Sequence, residues 1–320
     1  MSLINDRDLE EIWSWNAKLP ETVSTYVQDL IDETARRRPF APAICAWDGV
    51  FSYEQLMVIS SQIADHIIDC GIQPGIVLPL CMKKSKWMPV TILGALKADI
   101  GIALIDSSTP QERLRGIIQM LDPPFILTTS DLLSNFGSIV TPILIDRLQF
   151  EENRPYTFGT TRKCYSSLVA AVVFTSGSTG SPKGVMLSPQ CISTTAVYGS
   201  ELFQLDRASR VFQFASYSFD ISLHESLMTL VAGGCLCIPS ETEKLSNAIS
   251  AIKTFDANWI CITPSAASSA LSDVITTSLE TIVFTGEAIT ARVCKFLDVC
   301  KVFSWYGASE VPLTSVSVLR

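Results

Sequence analysis

The chain has 320 residues, of which 48% are hydrophobic, and its formal net charge is −8. An acidic chain without a broad basic patch is not expected to bind nucleic acid, so any site for a polyanion must be local. Its apolar runs are too short, or too often broken by glycines and charges, to cross a bilayer, and its first residues lack an apolar signal core. These features predict a cytoplasmic, soluble protein without a membrane partner.

Helices and strands alternate along most of the chain. The first 38 residues predict two helices separated at Pro20, and residues 43–46 and 50–53 predict a hairpin around Asp48-Gly49. Helices are then expected at 56–70, 85–97 and 111–121, and strands at 76–81, 102–105, 125–128, 211–214, 235–238, 259–263, 281–284 and 301–305. Alternation with strands that are apolar throughout predicts mostly parallel sheets covered by helices.

A polar stretch at residues 147–166 interrupts this pattern and contains Asn153-Arg154-Pro155. Polar residues with proline are typical of a connection between units. We therefore predict a first α/β subdomain at residues 1–150 and a second at 151–320, the second with a phosphate loop and a substrate pocket.

Histidines and cysteines exclude several kinds of site. Only two histidines, His66 and His224, are present, which leaves almost nothing from which to build a zinc site or a Ser-His-Asp triad. The ten cysteines are scattered through apolar segments and form no Cys-x-x-Cys pair. Free thiols in a reducing compartment are therefore expected rather than disulfides.

The strongest chemical signal is the sequence Val-Phe-Thr-Ser-Gly-Ser-Thr-Gly-Ser-Pro-Lys-Gly-Val at residues 173–185. A buried strand that opens into this loop would offer backbone N–H groups, hydroxyls and the Lys183 ammonium to a nucleotide phosphate. The order of residues is neither that of a Walker A loop nor that of a nucleophile elbow. On composition alone, a flexible Ser/Gly surface loop is the alternative.

The loop resembles the phosphate loop of adenylate-forming enzymes, which include acyl-CoA synthetases, luciferases and the adenylation domains of nonribosomal peptide synthetases. Further motifs occur in the order of that family: Phe51-Ser52-Tyr53-Glu54-Gln55-Leu56, Leu96-Lys97-Ala98 with Leu104-Ile105-Asp106, Phe219-Asp220-Ile221-Ser222 and Tyr306-Gly307-Ala308-Ser309-Glu310. With segments such as Ile12-Trp13-Ser14-Trp15-Asn16, the chain resembles the N-terminal core of a fungal peptide-synthetase adenylation domain. This implies an α/β fold with two βαβ-type sheets and flanking helices, without the C-terminal lobe.

The resemblance implies ATP and Mg²⁺ as cofactors and an amino acid activated as its aminoacyl-adenylate. Lys183 and Glu310 would be catalytic, Glu310 would also bind Mg²⁺, and Tyr306 would stack on adenine. Taken singly, Tyr306 also fits a core aromatic and Glu310 a surface acid. The nucleotide-binding residues implied are Thr175, Ser176, Gly177, Ser178, Thr179, Gly180, Lys183, Gly286, Glu287, Ala288, Ser304, Tyr306 and Gly307.

Asp220 bears on the substrate class, because a carboxylate in an apolar helix-like stretch is costly to bury unless a cation meets it. The matching aspartate of peptide synthetases receives the α-ammonium of an amino acid, and acyl-CoA synthetases usually lack it. The alternative is a helix N-cap in the turn that ends at Asp220. Bulky Ile221 and Trp305 predict a small or medium, mainly apolar substrate side chain. The substrate-binding residues implied are Asp220, Ile221, His224, Cys261, Val283, Thr285, Trp305, Leu313 and Thr314.

The sequence ends at Arg320, whereas the resembled domain continues through a ribose-binding aspartate, a hinge and a lobe that supplies a lysine. We therefore expect this core to adenylate slowly alone, and to act with such a lobe, in trans or in a longer chain, and with a phosphopantetheine carrier domain. An acyl- or aryl-CoA synthetase-like enzyme is one alternative, and a truncated, non-catalytic nucleotide-binding chain is another.

Overall fold

A computed structural model describes residues 5–18, 20–137, 139–151, 154–158, 167–176, 182–271 and 278–319. The α-helices are α1 Asp6–Trp15, α2 Val27–Arg37, α3 Tyr53–Asp69, α4 Trp87–Lys97, α5 Gln111–Leu121, α6 Pro189–Leu202, α7 Asp220–Ala232, α8 Glu241–Ser246, α9 Ala248–Thr254, α10 Pro264–Ala270 and α11 Cys294–Leu297. The strands are β1 Pro42–Ala46, β2 Gly49–Ser52, β3 Val77–Met82, β4 Gly101–Asp106, β5 Phe125–Thr128, β6 Thr141–Leu144, β7 Ala171–Ser176, β8 Pro182–Leu187, β9 Arg210–Phe212, β10 Cys235–Ile238, β11 Trp259–Ile262, β12 Thr281–Thr285, β13 Lys301–Ala308 and β14 Val311–Val318.

The strands form two sheets. In the part of the chain that the structure describes, the large sheet has eight strands in the order β14-β13-β12-β11-β9-β10-β1-β2, and the small sheet has six in the order β6-β5-β3-β4-β7-β8. Pairing is parallel except for one antiparallel pair at each end of the large sheet, β1–β2 and β13–β14, and the antiparallel edge pair β7–β8 of the small sheet. This confirms the predicted α/β architecture of two sheets with flanking helices.

Local signals explain where several helices begin and end. Ser52 and Gln55 form a capping box that starts α3, and Ser188 caps α6 ahead of a proline in its first turn. Helix α7 ends at Gly233, whose φ of 84° is strained for a residue with a side chain. Central strands such as β10 and β11 are buried at every residue, because helices cover both faces of a parallel sheet.

The sheets do not follow the boundary suggested at residue 150. The β1–β2 hairpin joins the large sheet, whereas β7 and β8, which lie after residue 150, complete the small one. A division of the folding units at that point stays a prediction, but the chain passes between the sheets on both sides of it. Strands β6, β8 and β14 were not predicted, and all three are edge strands defined by their partners.

None of the helices in the described ranges combines the length and the apolarity that crossing a bilayer requires.

Candidate functional site

A cavity of about 760 Å³ opens at the carboxyl ends of four parallel neighbours in the large sheet, β9, β11, β12 and β13. Ligands of open α/β sheets bind at this edge, because the loops that follow the strands converge there. The lining includes residues just after β9, the first residues of α7, the ends of β11 and β12, and the β13–β14 hairpin.

Several predicted site residues line this cavity together although they are distant in sequence. They are Asp220, Ile221, Cys261, Thr285, Gly286, Glu287, Trp305 and Gly307. Among the described residues, those predicted for the site but absent from its lining are Thr175, Ser176, Lys183, His224, Val283, Ala288, Ser304, Tyr306, Glu310, Leu313 and Thr314. Gly177, Ser178, Thr179 and Gly180 lie outside the described residues. The structure therefore gathers the substrate-side predictions more completely than the phosphate-side ones.

Asp220 is the first residue of α7, and its Oδ1 accepts a hydrogen bond from the Ile221 N–H at 2.9 Å. The N-cap of this helix is Phe219, so Asp220 does not hold the N-cap position. No lysine or arginine in the described part of the chain forms an ion pair with Asp220. The N-terminus of a helix is a favourable place for a negative charge, and Asp220 lies there at the cavity, available to a cationic ligand.

His224 lies one turn further along α7 and is 1% exposed. Burial lowers its pKa to about 4, although the nearby Asp220 carboxylate acts in the opposite direction. Its ring centroid is 6.4 Å from that of Trp305, in an edge-to-face arrangement. A neutral histidine therefore packs behind the cavity, and Val283 is likewise fully buried in β12.

Trp305 fixes the hairpin that closes one side of the cavity. It is 2% exposed, and its Nε1 donates to the Pro312 carbonyl at 2.7 Å. Because side chains alternate along a strand, the neighbouring Tyr306 faces outward and is 71% exposed. Tyr306 is thus open to solvent, where a flat aromatic ligand could stack on it.

Lys183 and Glu310 meet at the edge of the two sheets. Lys183 lies on β8, opposite Thr175 of β7, and its Nζ is 3.9 Å from Oε1 of Glu310 in the β13–β14 turn. Their side chains are 70% and 55% exposed. Ser309, which precedes Glu310, lines the cavity. The lysine at the exit of the predicted phosphate loop therefore lies beside the turn that borders the Asp220 cavity.

The residues near this turn fit a Mg²⁺ site in which the protein supplies few ligands and a bound phosphate and water supply the rest. Across the described residues, no three histidine, cysteine, aspartate or glutamate side chains cluster as metal ligands. Mg²⁺ usually takes one or two protein carboxylates and completes its shell with phosphate oxygens and water. The exposed Glu310 carboxylate fits that use, and the Lys183 ammonium lies beside it.

Glu287 holds the loop that follows β12 along the cavity. Its carboxylate accepts hydrogen bonds from the N–H of Ser265 at 3.0 Å and from the Ser265 hydroxyl at 2.6 Å, and these bonds lower its pKa. Gly286 precedes it with a φ of 78°, a conformation that favours glycine. The loop is thereby tied to the start of α10.

Sequence reasoning missed several parts of the cavity, among them Ala266, Ser269 and Ala270 of α10. Two further parts show what signal was lacking. One is the segment that follows β9, with Phe214, Ala215 and Ser216 in the lining. The other is Lys244 of α8, whose side chain is 10% exposed and pairs with Glu241 at 2.5 Å. The capping box between Ser240 and Glu243 would have predicted α8, but no local signal places that helix at the cavity.

Comparison with known proteins places the chain in a family. A family model described as AMP-binding enzyme matches residues 31–318. The chain is 35% identical over 321 aligned positions to the peramine synthetase ppzA of Metarhizium majus (strain ARSEF 297), which covers 99% of the chain and 11% of that protein. It is 37% identical over 294 positions to the nonribosomal peptide synthetase ungA' of Aspergillus campestris (strain IBT 28561), covering 91% of the chain and 3% of that protein. The chain thus spans a small part of the relatives it matches.

Solved structures share the fold. A crystal structure of the nonribosomal peptide synthetase FmoA3 (S1046A), bound to α-methyl-L-serine-AMP, has a TM-score of 0.83 at 17% identity, over 100% of this chain and 37% of that chain. A complex of VinN with L-aspartate has a TM-score of 0.79 at 17% identity, over 93% of this chain and 79% of that chain. At these identities the likeness establishes the architecture alone.

Proposed function

The chain belongs to the AMP-binding enzyme family, and from this premise we propose that it activates an amino acid with ATP as an aminoacyl-adenylate for nonribosomal peptide synthesis. The observation that carries the proposal is the Asp220 carboxylate at a cavity of about 760 Å³, where no lysine or arginine of the described chain pairs with it. A partly buried anion of this kind is matched by a substrate ammonium.

In an α-amino acid, the ammonium and the carboxylate are both attached to the same α-carbon. If Asp220 receives the ammonium, the substrate carboxylate remains free to meet the α-phosphorus of ATP. The carboxylate oxygen then forms the new bond to phosphorus, and pyrophosphate leaves with the electron pair of the broken P–O bond. A fatty acid has no ammonium to offer Asp220, which favours the amino acid over the acyl-CoA synthetase alternative.

The phosphate side of the proposal rests on Lys183 and Glu310. A lysine ammonium beside a loop of glycines and hydroxyls can stabilise the charge of the leaving pyrophosphate. Glu310 would hold Mg²⁺ together with a phosphate oxygen, and the metal would neutralise charge on the triphosphate. The exposed Tyr306 ring and the loop at Gly286 and Glu287 would hold the adenine between them.

The substrate side chain is proposed to be small or medium and mainly apolar. Ile221 and Trp305 line the cavity with apolar surface, and Phe214 and Ala266 extend it. The names of the relatives support a place in peptide synthesis. We further propose, as partners, a phosphopantetheine carrier domain as the thiol acceptor and a lobe that supplies a second lysine. A cytoplasmic location stays a prediction from the sequence.

The test is amino-acid-dependent exchange of pyrophosphate into ATP, with a panel of amino, fatty and aryl acids. We expect exchange with amino acids that have a small or medium, mainly apolar side chain, and we expect it to be faster when a carboxy-terminal adenylation lobe is fused to the chain. Exchange with fatty or aryl acids instead would support the acyl- or aryl-CoA synthetase alternative. Absence of both exchange and ATP binding in the chain and in the fusion would refute the proposal.

The variant Asp220→Asn tests directly whether the negative charge of Asp220 binds the substrate ammonium. The variant keeps the shape of the side chain but removes its charge, so we expect the KM for the amino acid to rise about 10- to 100-fold, with the KM for ATP little changed. Asp69→Asn, at the exposed end of α3, is the matched control and should change neither constant. Equal amino-acid affinity in the Asp220 variant and the unmodified chain would contradict the assigned role.

A further inference from the structure

The cavity wall at residues 213–216 has no regular secondary structure of its own, yet it leads from β9 directly toward Asp220. Phe214, Ala215 and Ser216 line the cavity. Within the described residues, backbone hydrogen bonding to β10 extends as far as Gln213, whose N–H donates to the Cys237 carbonyl at 2.9 Å. Beyond that point, the position of the wall depends on contacts from outside the large sheet.

Lys84 provides the first of these contacts, from just after β3 of the small sheet. Its side chain is 1% exposed, and its Nζ donates to the Gln213 carbonyl at 2.9 Å, to the Ala215 carbonyl at 2.8 Å and to Oε1 of Gln213. Each of the three ammonium hydrogens can therefore meet an acceptor in the wall. The ammonium also lies 4.8 Å from the ring centroid of Tyr217, which directly follows the wall.

Asp106 provides the second contact, from the end of the neighbouring strand β4. Its Oδ2 accepts a hydrogen bond from the Ser216 hydroxyl, and its Oδ1 accepts bonds from the N–H of Ser108 at 2.9 Å and the Ser108 hydroxyl at 2.6 Å. Because β3 and β4 are paired in the small sheet, the two contacts hold the wall from one rigid edge.

Helix α7 places a buried titratable group near the Lys84 ammonium. Its Glu225 is fully buried, and burial raises the pKa of that carboxyl to about 8 while the Lys84 ammonium acts against the rise. Lys84 thus faces both the wall and the helix whose first residue is Asp220.

We propose that Lys84 is a positioning residue for substrate recognition, which holds the wall at 213–216 against the small sheet and thereby sets the position of Asp220 at the cavity. The consequence for substrate affinity rests on the proposed function, whereas the ordering of the wall does not. The small sheet also carries Lys183, so the same contacts keep that lysine and the substrate cavity in register.

Lys97 offers a closely matched control for the general effect of removing a buried lysine. It is 5% exposed and also donates three hydrogen bonds, to the Met57 carbonyl at 3.0 Å, the Ser60 hydroxyl at 2.8 Å and the Ser61 hydroxyl at 2.9 Å. Burial lowers the pKa of Lys84 and of Lys97 alike, to about 7. All its acceptors lie on α3, which does not line the cavity.

The first experiment compares amide hydrogen exchange in the 320-residue chain and in its Lys84→Met and Lys97→Met variants. We expect Lys84→Met to speed exchange of amides 213–220 by about 10-fold or more relative to the rest of the chain, and Lys97→Met to leave them within about twofold. Unchanged exchange rates of the wall amides in Lys84→Met, or the same uniform rise in exchange rates in both variants, would overturn the proposal.

Asp106→Asn keeps the experiment decisive if Lys84→Met does not fold, since it removes no buried cation. It weakens the second contact, so faster exchange confined to the wall is expected, by about threefold or more. Exchange identical to that of the unmodified chain would show that the small sheet does not hold the wall.

The second experiment measures pyrophosphate exchange with whichever amino acid gives the highest rate. Lys84→Met should raise the KM for that amino acid about 10-fold and leave the KM for ATP within about twofold of its original value. Lys97→Met should change neither KM. A fall in kcat with both KM values unchanged would refute the positioning role. If no acid supports exchange, the proposed function fails, and the hydrogen-exchange result still decides whether Lys84 orders the wall.

Discussion

Lys183 and Glu310 approach to 3.9 Å although one belongs to the edge of the small sheet and the other to a hairpin of the large sheet. The pair therefore brings the exit of the predicted phosphate loop next to the turn that borders the Asp220 cavity. Since both side chains are more than half exposed, their mutual attraction contributes little to stability. Their charges remain accessible to a ligand that bridges the two sheets.

Lys183→Met should separate ligand binding from folding. Loss of a charge-assisted contact to phosphate is expected to weaken ATP binding about 10- to 100-fold. The free energy of unfolding should change by no more than about 1 kcal/mol, because the ion pair is exposed. Calorimetric titration with Mg-ATP and urea unfolding measure the two effects. An unchanged ATP affinity would remove Lys183 from the proposed phosphate site.

Gly307→Ala should disrupt the hairpin. A Cβ at this position would lie 2.1 Å from the Pro312 carbonyl oxygen, a backbone atom that also accepts the Trp305 hydrogen bond. We expect a loss of about 1–3 kcal/mol in the free energy of unfolding, measured by urea titration.

Gly116→Ala is the matched control for the glycine substitution. Gly116 lies within α5 and nothing would meet its Cβ within 4 Å. Alanine is favoured over glycine inside a helix, so a gain of about 0.5–1 kcal/mol is expected. Stabilisation by both substitutions would show that the hairpin has room at Gly307.

Trp305→Phe should cost more stability than Trp259→Phe. Both tryptophans are 2% exposed and both pack against Phe203, with ring centroids 5.0 and 6.2 Å from it. Only Trp305 has a hydrogen bond to lose, because Nε1 of Trp259 has no partner within the described residues. The two variants should differ by about 1–3 kcal/mol in the free energy of unfolding. Equal losses would contradict a stabilising role for the Pro312 bond.

His224→Gln should change the pH dependence of stability. The pKa of His224 is about 4 in the folded chain, against an ordinary value of 6.5 that applies to the unfolded chain. Between these two pH values the unfolded chain therefore binds more protons than the folded chain. Stability from this group therefore rises with pH from about 4 to 6.5, by about 3 kcal/mol, and only the unmodified chain shows the rise.

The measurement for His224 is urea unfolding of both proteins across that range. Subtracting the variant cancels other titrating groups, including Glu225, whose raised pKa gives a slope of the opposite sign between 4.5 and about 8. A difference between the two proteins that does not vary with pH would show that His224 is not buried as a neutral ring.

Local patterns predicted most of the secondary structure because the reasons for it are local. The helix at 111–121 and the strand at 125–128 lie where the sequence placed them, since periodic apolar residues and flanking prolines bound them. Strand β14 was missed because its residues are mostly exposed and only its pairing with β13 makes it a strand.

Local sequence patterns did not predict which charged residues are buried. Lys83, Lys84 and Lys86 stand almost side by side, yet Lys83 is 57% exposed while Lys84 is 1% exposed. What distinguishes them is a set of carbonyl groups about 130 residues later in the chain. No local pattern reports such a distant partner.

The sequence by itself determined the chemistry that this chain carries, including a hydroxyl- and glycine-rich loop ending in Lys183 and a carboxylate in Phe-Asp-Ile-Ser. The tertiary structure decided which of these groups share a space: Asp220, Glu287 and Trp305 line one cavity, whereas His224 is buried behind it. The reason is physical, because side-chain periodicity follows from a few neighbouring residues, while proximity across the sheets depends on strand order and on buried contacts such as that of Lys84.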